Sequence, residues 1–383
     1  MPQNILFTSW YTGLGGGETD LLSIAAFLDP HEWTPHLLLP SDGILTDKWR
    51  DYGWQVHIVK YRGASTYFVP FIWEKLPIVN RITEIIATHQ IDLIASEYHT
   101  LPMAYPAANK MNIPIMWTVH GWWFKPKFWQ RSFFADIPIV ARSQSIRDGY
   151  LGDPPFMPPS QVPVIYSGVD THRFRPNSEL ATHERTQLGF SEDTPLVAMV
   201  ARFQSVKGHH TFQAMVEKVV QAIPDAQFVV AGEDTFGIAK DEAYRQTMLN
   251  NATTNPILKT HLQYLGFRHD VESILTAADV VVCASDFESY GKVNLEAMAC
   301  GTPVVSTNQG GPAETIIDGE TGYLVPPSHP QALAERVIHL LNHPDDRQRI
   351  GLAARQHILD RFSAKTAANH YHQFFRTLLT PPL

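Results

Sequence analysis

"DVVVCASDFESYGKVNLEAMACGTPVVST", residues 279–307, sets an apolar run, a polar loop, a helix-length segment and a second apolar run in series. The runs at 279–285 and 302–307 are rich in Val, the pattern of strands buried on both faces. Gly291 permits a tight turn between them, and a helix is expected from Lys292 to Cys300. Gly301 is placed to end that helix, and Pro303 cannot continue it. Strand, helix, strand is the signature of a parallel α/β sheet. In such sheets ligands bind beyond the carboxyl ends of the strands. The helix start there offers free N–H groups and a positive dipole end to an anion. Glu288 stands in the loop before this helix, and Glu296 stands about one turn inside it. Taken alone, that spacing favours a Glu288 that caps the helix and a Glu296 that faces water.

The same alternation runs outward through the chain. Strands are expected at 4–9, 34–39, 55–60, 92–96, 114–119, 137–141 and 163–168, with helices such as Glu18–Leu28 and Ile78–His89 between them. A second series follows at 195–201, 226–232, 262–266, 279–285, 302–307 and 322–327, with helices such as Lys207–Ala222 and Val271–Ala278. The polar stretch 168–190 between the series reads as a linker, and 331–379 reads as helical with a break at "HPDD" (343–346). The fold expected is α/β with two Rossmann-like domains, residues 1–170 and 171–362.

Composition narrows the class. The chain has 383 residues, enough for two cores, with 44% hydrophobic and 18% charged residues. No apolar run is long enough to span a bilayer, and "MPQNILFTSW" (1–10) does not read as a signal peptide, so a cytoplasmic protein is expected. The formal net charge of −8 argues against a nucleic-acid partner. Cys283 and Cys300 lie in apolar contexts and read as buried reduced thiols. The 18 histidines are scattered without metal-ligand spacing, so no metal site is expected.

The glutamates are not isolated. "VARFQSVKG" (200–208) follows another strand of the second series and puts Arg202 and Lys207 near its carboxyl end. Arg can grip phosphate with a two-pronged fork and Lys as a point charge. Beside a helix start ready for an anion, this pair turns the reading towards a diphosphate site.

These residues resemble a known family. Residues 285–327 are similar to the nucleotide-sugar signature of the family 4 glycosyltransferases. Supporting stretches are "GLGGGE" (13–18), "TVHG" (118–121), "ARSQSIRD" (141–148), "VIYSGVDTHRF" (164–174) and "LGFRHDVESILTAADV" (265–280). The resemblance spans nearly the whole chain. It implies the GT-B fold, two Rossmann-like domains facing across a cleft, with a C-terminal helix of about 363–383 packing back on the first domain. It implies that Arg202 and Lys207 bind the donor diphosphate and that Glu296 holds the ribose. It further implies that Glu288 contacts the donor sugar, and that the backbone of Ser289, Tyr290, Gly291, Lys292 and Val293 adds to donor binding. Gly15, Gly16 and Gly17 would approach the donor, and His120 would sit near the reacting centre. Ser167 stands where the family commonly has Asn, a departure expected to have little chemical consequence. Glu18 follows the glycines where small residues are frequent.

The activity implied is transfer of a hexosyl group from a UDP- or GDP-linked sugar, with retention of configuration. The acceptor would be a saccharide, a glycolipid or a small molecule. No cofactor is expected, because the Arg–Lys pair and helix N–H groups can meet the charge that develops on the leaving phosphate. Glu288 and Glu296 read as donor-binding groups rather than as a glycosidase pair. The aromatic and basic stretches 61–77 and 121–134 fit an acceptor groove, a peripheral membrane contact at the inner face, or core filling beneath loops. Two alternatives remain at this point. One is a non-catalytic nucleotide-sugar-binding protein. The other is an NAD-dependent oxidoreductase, which is disfavoured because Glu18 stands where the dinucleotide fingerprint needs its third glycine.

Overall fold

Both series of strands become parallel sheets in the computed structural model, which describes residues 2–63, 77–121, 136–233 and 238–380. The chain divides into two units, one of residues 1–168 with 364–383 and the other of residues 169–363. The first sheet contains β1 (Gln3–Thr8), β2 (Trp33–Leu39), β3 (Gln55–Ile58), β4 (Ile91–Ser96), β5 (Ile115–Val119) and β6 (Ile139–Ala141). Their order is β3-β2-β1-β4-β5-β6. The second contains β7 (Leu196–Val200), β8 (Gln227–Ala231), β9 (Leu262–Gly266), β10 (Val280–Cys283), β11 (Val304–Thr307) and β12 (Tyr323–Val325), ordered β12-β11-β10-β7-β8-β9. Read from its first strand outward, each sheet has the same winding. The strand order reverses between β1 and β4 in one and between β7 and β10 in the other, which is where a doubly wound sheet opens a crevice.

Burial explains the winding. Leu6, Leu38 and Ile94 of the first sheet pack with Ile78, Ile82 and Ile86 of helix Pro77–Thr88. The alternate residues Ile5, Phe7, Leu37 and Leu39 pack on the other face with Ile24, Tyr371 and Phe375. Burying a side chain of this size contributes about 1.5–3 kcal/mol, and neighbouring positions on one strand serve opposite faces. Helix Ala364–Leu379 packs on helix Gly16–Phe27, so residues far along the chain complete the first core.

Four expectations change. Residues 163–168 form only a single bridge, Ala141 to Val164, beyond the edge strand β6. Residues 169–190 are no linker: they belong to the second unit and include helix Ser178–Leu188, which packs on helix Val271–Ala277. Arg185 from that helix, 8% exposed, donates to the carbonyls of Ala277, Ser191, Glu192 and Thr194 and to Asp279, work that its polar sequence hides. Lys207 ends a 3-10 turn, Ser205–Lys207, and the helix proper is His209–Ala222. Cys300 is buried, whereas Cys283 is half-buried, and both are free thiols. Most of the two aromatic stretches, residues 64–76 and 122–135, lies outside the described residues. Among the described residues no helix is long and apolar enough to cross a membrane.

Candidate functional site

In the second unit, β7 and β10 flank the reversal of strand order. The loop after β7 carries Arg202 and Lys207, and the loop after β10 carries Glu288. Gly208 is the hinge of the first loop. A Cβ there would lie 1.9 Å from the Ala284 carbonyl oxygen, so only glycine lets the backbone after β7 lie against the end of β10. The result is a direct contact. Lys207 Nζ donates to Glu288 Oε2 at 2.5 Å, and Ser285 Oγ donates to the same oxygen at 3.3 Å. Both charged side chains are largely sheltered, 18% and 14% exposed.

The backbone of Glu288 is fixed in turn by "NQGG" (308–311), after β11. Its N–H donates to the Gln309 carbonyl at 3.3 Å, and its carbonyl accepts from the Gly311 N–H at 2.8 Å. Gly310 has φ 79°, and a Cβ there would fall 2.0 Å from the Glu288 carbonyl oxygen. The loop can therefore close only on glycine.

Helix Lys292–Ala299 starts beside this contact. Gly291 occupies its N-cap at φ 80°, no side chain caps it, and no acidic residue stands in its first turn. Lys292 and Val293, half-buried, form that turn, and Ser289 and Tyr290 lead into it. Asn294 ties the helix to β11 through its Nδ2 bond to Ser306 Oγ at 3.0 Å. Glu288 thus does not cap the helix, and Glu296, 9% exposed, does not face water. The simpler reading of the two glutamates fails on both counts. Burial, with Glu296's charge adding to it, pushes the Cys300 thiol up to about 12.

Arg202 lies past the end of β7 and is exposed; no described residue forms an ion pair with its guanidinium. Its carbonyl accepts from His209 Nε2 at 2.9 Å. His209 stacks on Phe203 at 4.2 Å, and burial pushes its pKa down to about 4, so a neutral ring holds the Arg202 backbone.

The remaining residues belong to the first unit. Gly15 caps helix Gly16–Phe27, and Glu18 closes the turn by accepting the Gly15 N–H at 3.1 Å. Gly17 faces His120: a Cβ on it would lie 3.5 Å from His120 Nδ1. His120 follows β5 and lines a cavity of about 20 Å³ with Thr8, Glu97, Thr118, Arg142 and Tyr371, room for about one water. The surrounding protein pushes its pKa down to about 3, the Arg142 charge adds to this, and Asp20 opposes it. Arg142 and Asp20 form an ion pair, 4% and 6% exposed. Ser167 Oγ accepts from Arg142 Nη1 at 3.0 Å and donates to Asp20. Ser167 thus completes a buried charge network, a structural part that its place in the sequence did not show. Asp20, Arg142, Gly310 and Gly311 went unassigned in the sequence, although "ARSQSIRD" and the 285–327 signature contain three of them.

Two Rossmann-like units of like winding, one carrying charged groups and an uncapped helix at its strand reversal, define the GT-B class of nucleotide-sugar enzymes. The chain belongs to the family 4 glycosyltransferases: residues 14–173 match "Glycosyltransferase Family 4" and residues 181–357 match "Glycosyl transferases group 1". The alpha-maltose-1-phosphate synthase of Mycolicibacterium smegmatis is 33% identical over 62% of this chain and 62% of its own. The chain spans under two thirds of the length of such curated relatives. Among solved structures, a glycosyltransferase from Rickettsia africae shares the fold with a TM-score of 0.85 at 21% identity, covering 100% of both chains. HepE from Anabaena, solved with UDP, gives 0.81 at 22% identity over 98% of this chain and 100% of its own.

Proposed function

We propose that the chain is a retaining glycosyltransferase that moves a hexosyl group from a UDP- or GDP-linked sugar to a hydroxyl of a saccharide, glycolipid or small-molecule acceptor. The observation that carries the reading is the Lys207–Glu288 contact at the strand reversal of the second sheet, beside an uncapped helix start. A donor diphosphate suits that combination. Lys207 exchanges Glu288 for a phosphate oxygen, and the freed carboxylate takes hydroxyls of the donor sugar. Lys207 keeps an anionic partner and the carboxylate is satisfied by hydrogen bonds, so neither group is left unpartnered in a sheltered site. Arg202 adds its fork to the diphosphate. The N–H groups of Gly291 to Val293 face the anion, and Glu296 accepts from the ribose. These fixed positive groups stabilise the charge growing on the leaving diphosphate, with no metal called upon at the donor. The acceptor hydroxyl loses its proton towards the departing phosphate on the same face. In this reading Gly15 to Gly17 and the neutral His120 serve the transferred sugar. The complex of HepE with UDP supports a nucleotide-linked donor.

The test is nucleotide release from a panel of UDP-, GDP- and ADP-sugars, with and without saccharide acceptors. Acceptor-dependent release from one donor supports the proposal. Tight binding without release points instead to a non-catalytic binder. Membrane contact rests on the sequence of 61–77 and 121–134 alone; absence of co-sedimentation with anionic or glycolipid-containing liposomes removes it.

A further inference from the structure

Three histidines far apart in the sequence meet in the first unit. His36 lies in mid-β2 and His57 in the edge strand β3. In register, His36 pairs with Gln55 and Leu38 with His57, so His36 and His57 leave the same face of the sheet. That face is covered by helix Pro77–Thr88, whose Ile82 and Ile86 pack in one cluster with Leu38. His89 follows the last turn of this helix, its N–H donating to the Ile85 carbonyl at 3.0 Å. The helix therefore delivers a third imidazole to the strand pair.

The geometry is that of a ligand set. His36 Nδ1 and His57 Nε2 are 3.1 Å apart, and one ring nitrogen of each of the three lies within 4.8 Å of the others. Two nitrogens on a tetrahedral Zn²⁺ at 2.0–2.1 Å stand about 3.3 Å apart. Binding requires the His89 nitrogen, now within 4.8 Å of the other two, to move towards them. Burial pushes His36 and His57 down to about 4, with the neighbouring imidazoles adding to this. At neutral pH both are lone-pair donors rather than cations. His36 is 4% exposed, whereas His57 and His89 are half-buried, so a fourth position remains for solvent. No cluster of three His, Cys, Asp or Glu other than this one was found among the described residues.

We propose that His36, His57 and His89 form a three-imidazole site for a borderline divalent ion, Zn²⁺ foremost, which clips the edge strand β3 to the end of helix Pro77–Thr88. Imidazole ligands suit Zn²⁺, Ni²⁺ and Cu²⁺ rather than Mg²⁺ or Ca²⁺. Gln90, the next residue, accepts from Asn4 at the start of β1, so the site lies towards the amino ends of the strands. That is the side away from the loops that carry Gly15 and His120, so the site does not depend on the donor reading.

The experiment uses the full chain stripped with a chelator. Zn²⁺ is titrated by calorimetry, and Co²⁺ serves as the spectroscopic probe. One equivalent should bind, the Co²⁺ spectrum should show the intense visible band of four-coordination, and Zn²⁺ should raise Tm. His57→Gln and His89→Gln should each weaken Zn²⁺ by more than about 100-fold, the upper end of what losing even a supporting group costs. His370→Gln, on an exposed position, should change nothing. Unchanged affinity in both cluster variants, or no stoichiometric binding by the parent chain, overturns the proposal. Should the variants fail to fold, diethylpyrocarbonate modification of the parent chain decides. Zn²⁺ must shield His57 and His89 while leaving His370 reactive, and equal reactivity with and without Zn²⁺ overturns the proposal.

Discussion

The two units place charge in opposite ways on the same winding. In the first, Asp20 and Arg142 are sealed together against Ser167, and His120 beside them is held neutral. In the second, Arg202 is exposed without an ion-pair partner among the described residues, and Lys207 pairs with Glu288. At its strand reversal the first unit seals an ion pair into its core, whereas the second leaves Arg202 exposed there. The difference comes from the segment at the end of each leading strand. After β1 a loop leads into helix Gly16–Phe27, whose second turn buries Asp20, whereas after β7 the loop passes through a 3-10 turn closed by Gly208 and leaves Arg202 at the surface ahead of its helix.

Breaking the sealed pair should have the largest effect. Asp20→Asn removes the carboxylate paired with the buried Arg142, and a loss of about 3–5 kcal/mol in the first unit's stability is expected from urea unfolding. Catalysis should be most sensitive in the other unit. Lys207→Ala should lower kcat by about 10²–10³-fold, the usual cost of removing one group aimed at a developing negative charge. Arg202→Ala should do likewise without lowering Tm, since its guanidinium supports nothing among the described residues. Near-normal turnover in both would remove the basis of the diphosphate assignment. Gly310→Ala should cost about 1–3 kcal/mol from overpacking against the Glu288 carbonyl and weaken donor binding measured by calorimetry.

The smallest effect is a pH slope. His120 titrates near 6.5 when unfolded and at about 3 when folded. The unfolded chain therefore takes up the proton first, and the stability that His120 contributes is full above pH 6.5 and is lost as pH falls towards 3. His120→Gln should flatten the stability curve over that window. An unchanged slope would mean that burial does not hold His120 neutral in the folded chain.

Much of this was legible in the residues. The Val-rich runs at 280–283 and 304–307 could hardly be anything but buried parallel strands, and Gly291 between them marked the helix start. The bonding of Arg185 was not legible, because a polar helix looks like a linker until its partners, Ala277 and Asp279 among them, are brought to it. The Asp20–Arg142 pair escaped for the same reason: the two residues are 122 positions apart, and neither has a local pattern. Gly310 and Gly311 stood in a recognised signature, but glycine says only that something comes close, and only the fold says that it is the Glu288 backbone.

The helix Ala364–Leu379 has a consequence for synthesis. Its Phe375 meets Phe7 and Trp33, and the Trp33 indole N–H donates to His372 at 2.8 Å. The polypeptide leaves the first unit after Gly168 and regains it after Ser363, and Val169 bonds back to Phe362 at 2.8 Å, so the second unit closes on itself. A ribosome emits the first sheet early, yet its last covering helix emerges only after roughly 200 further residues, on the order of 10–40 s later. The half of the molecule that is born first is the half that matures last, and throughout that wait Phe7 and Trp33 lack the Phe375 ring that covers them in the finished fold.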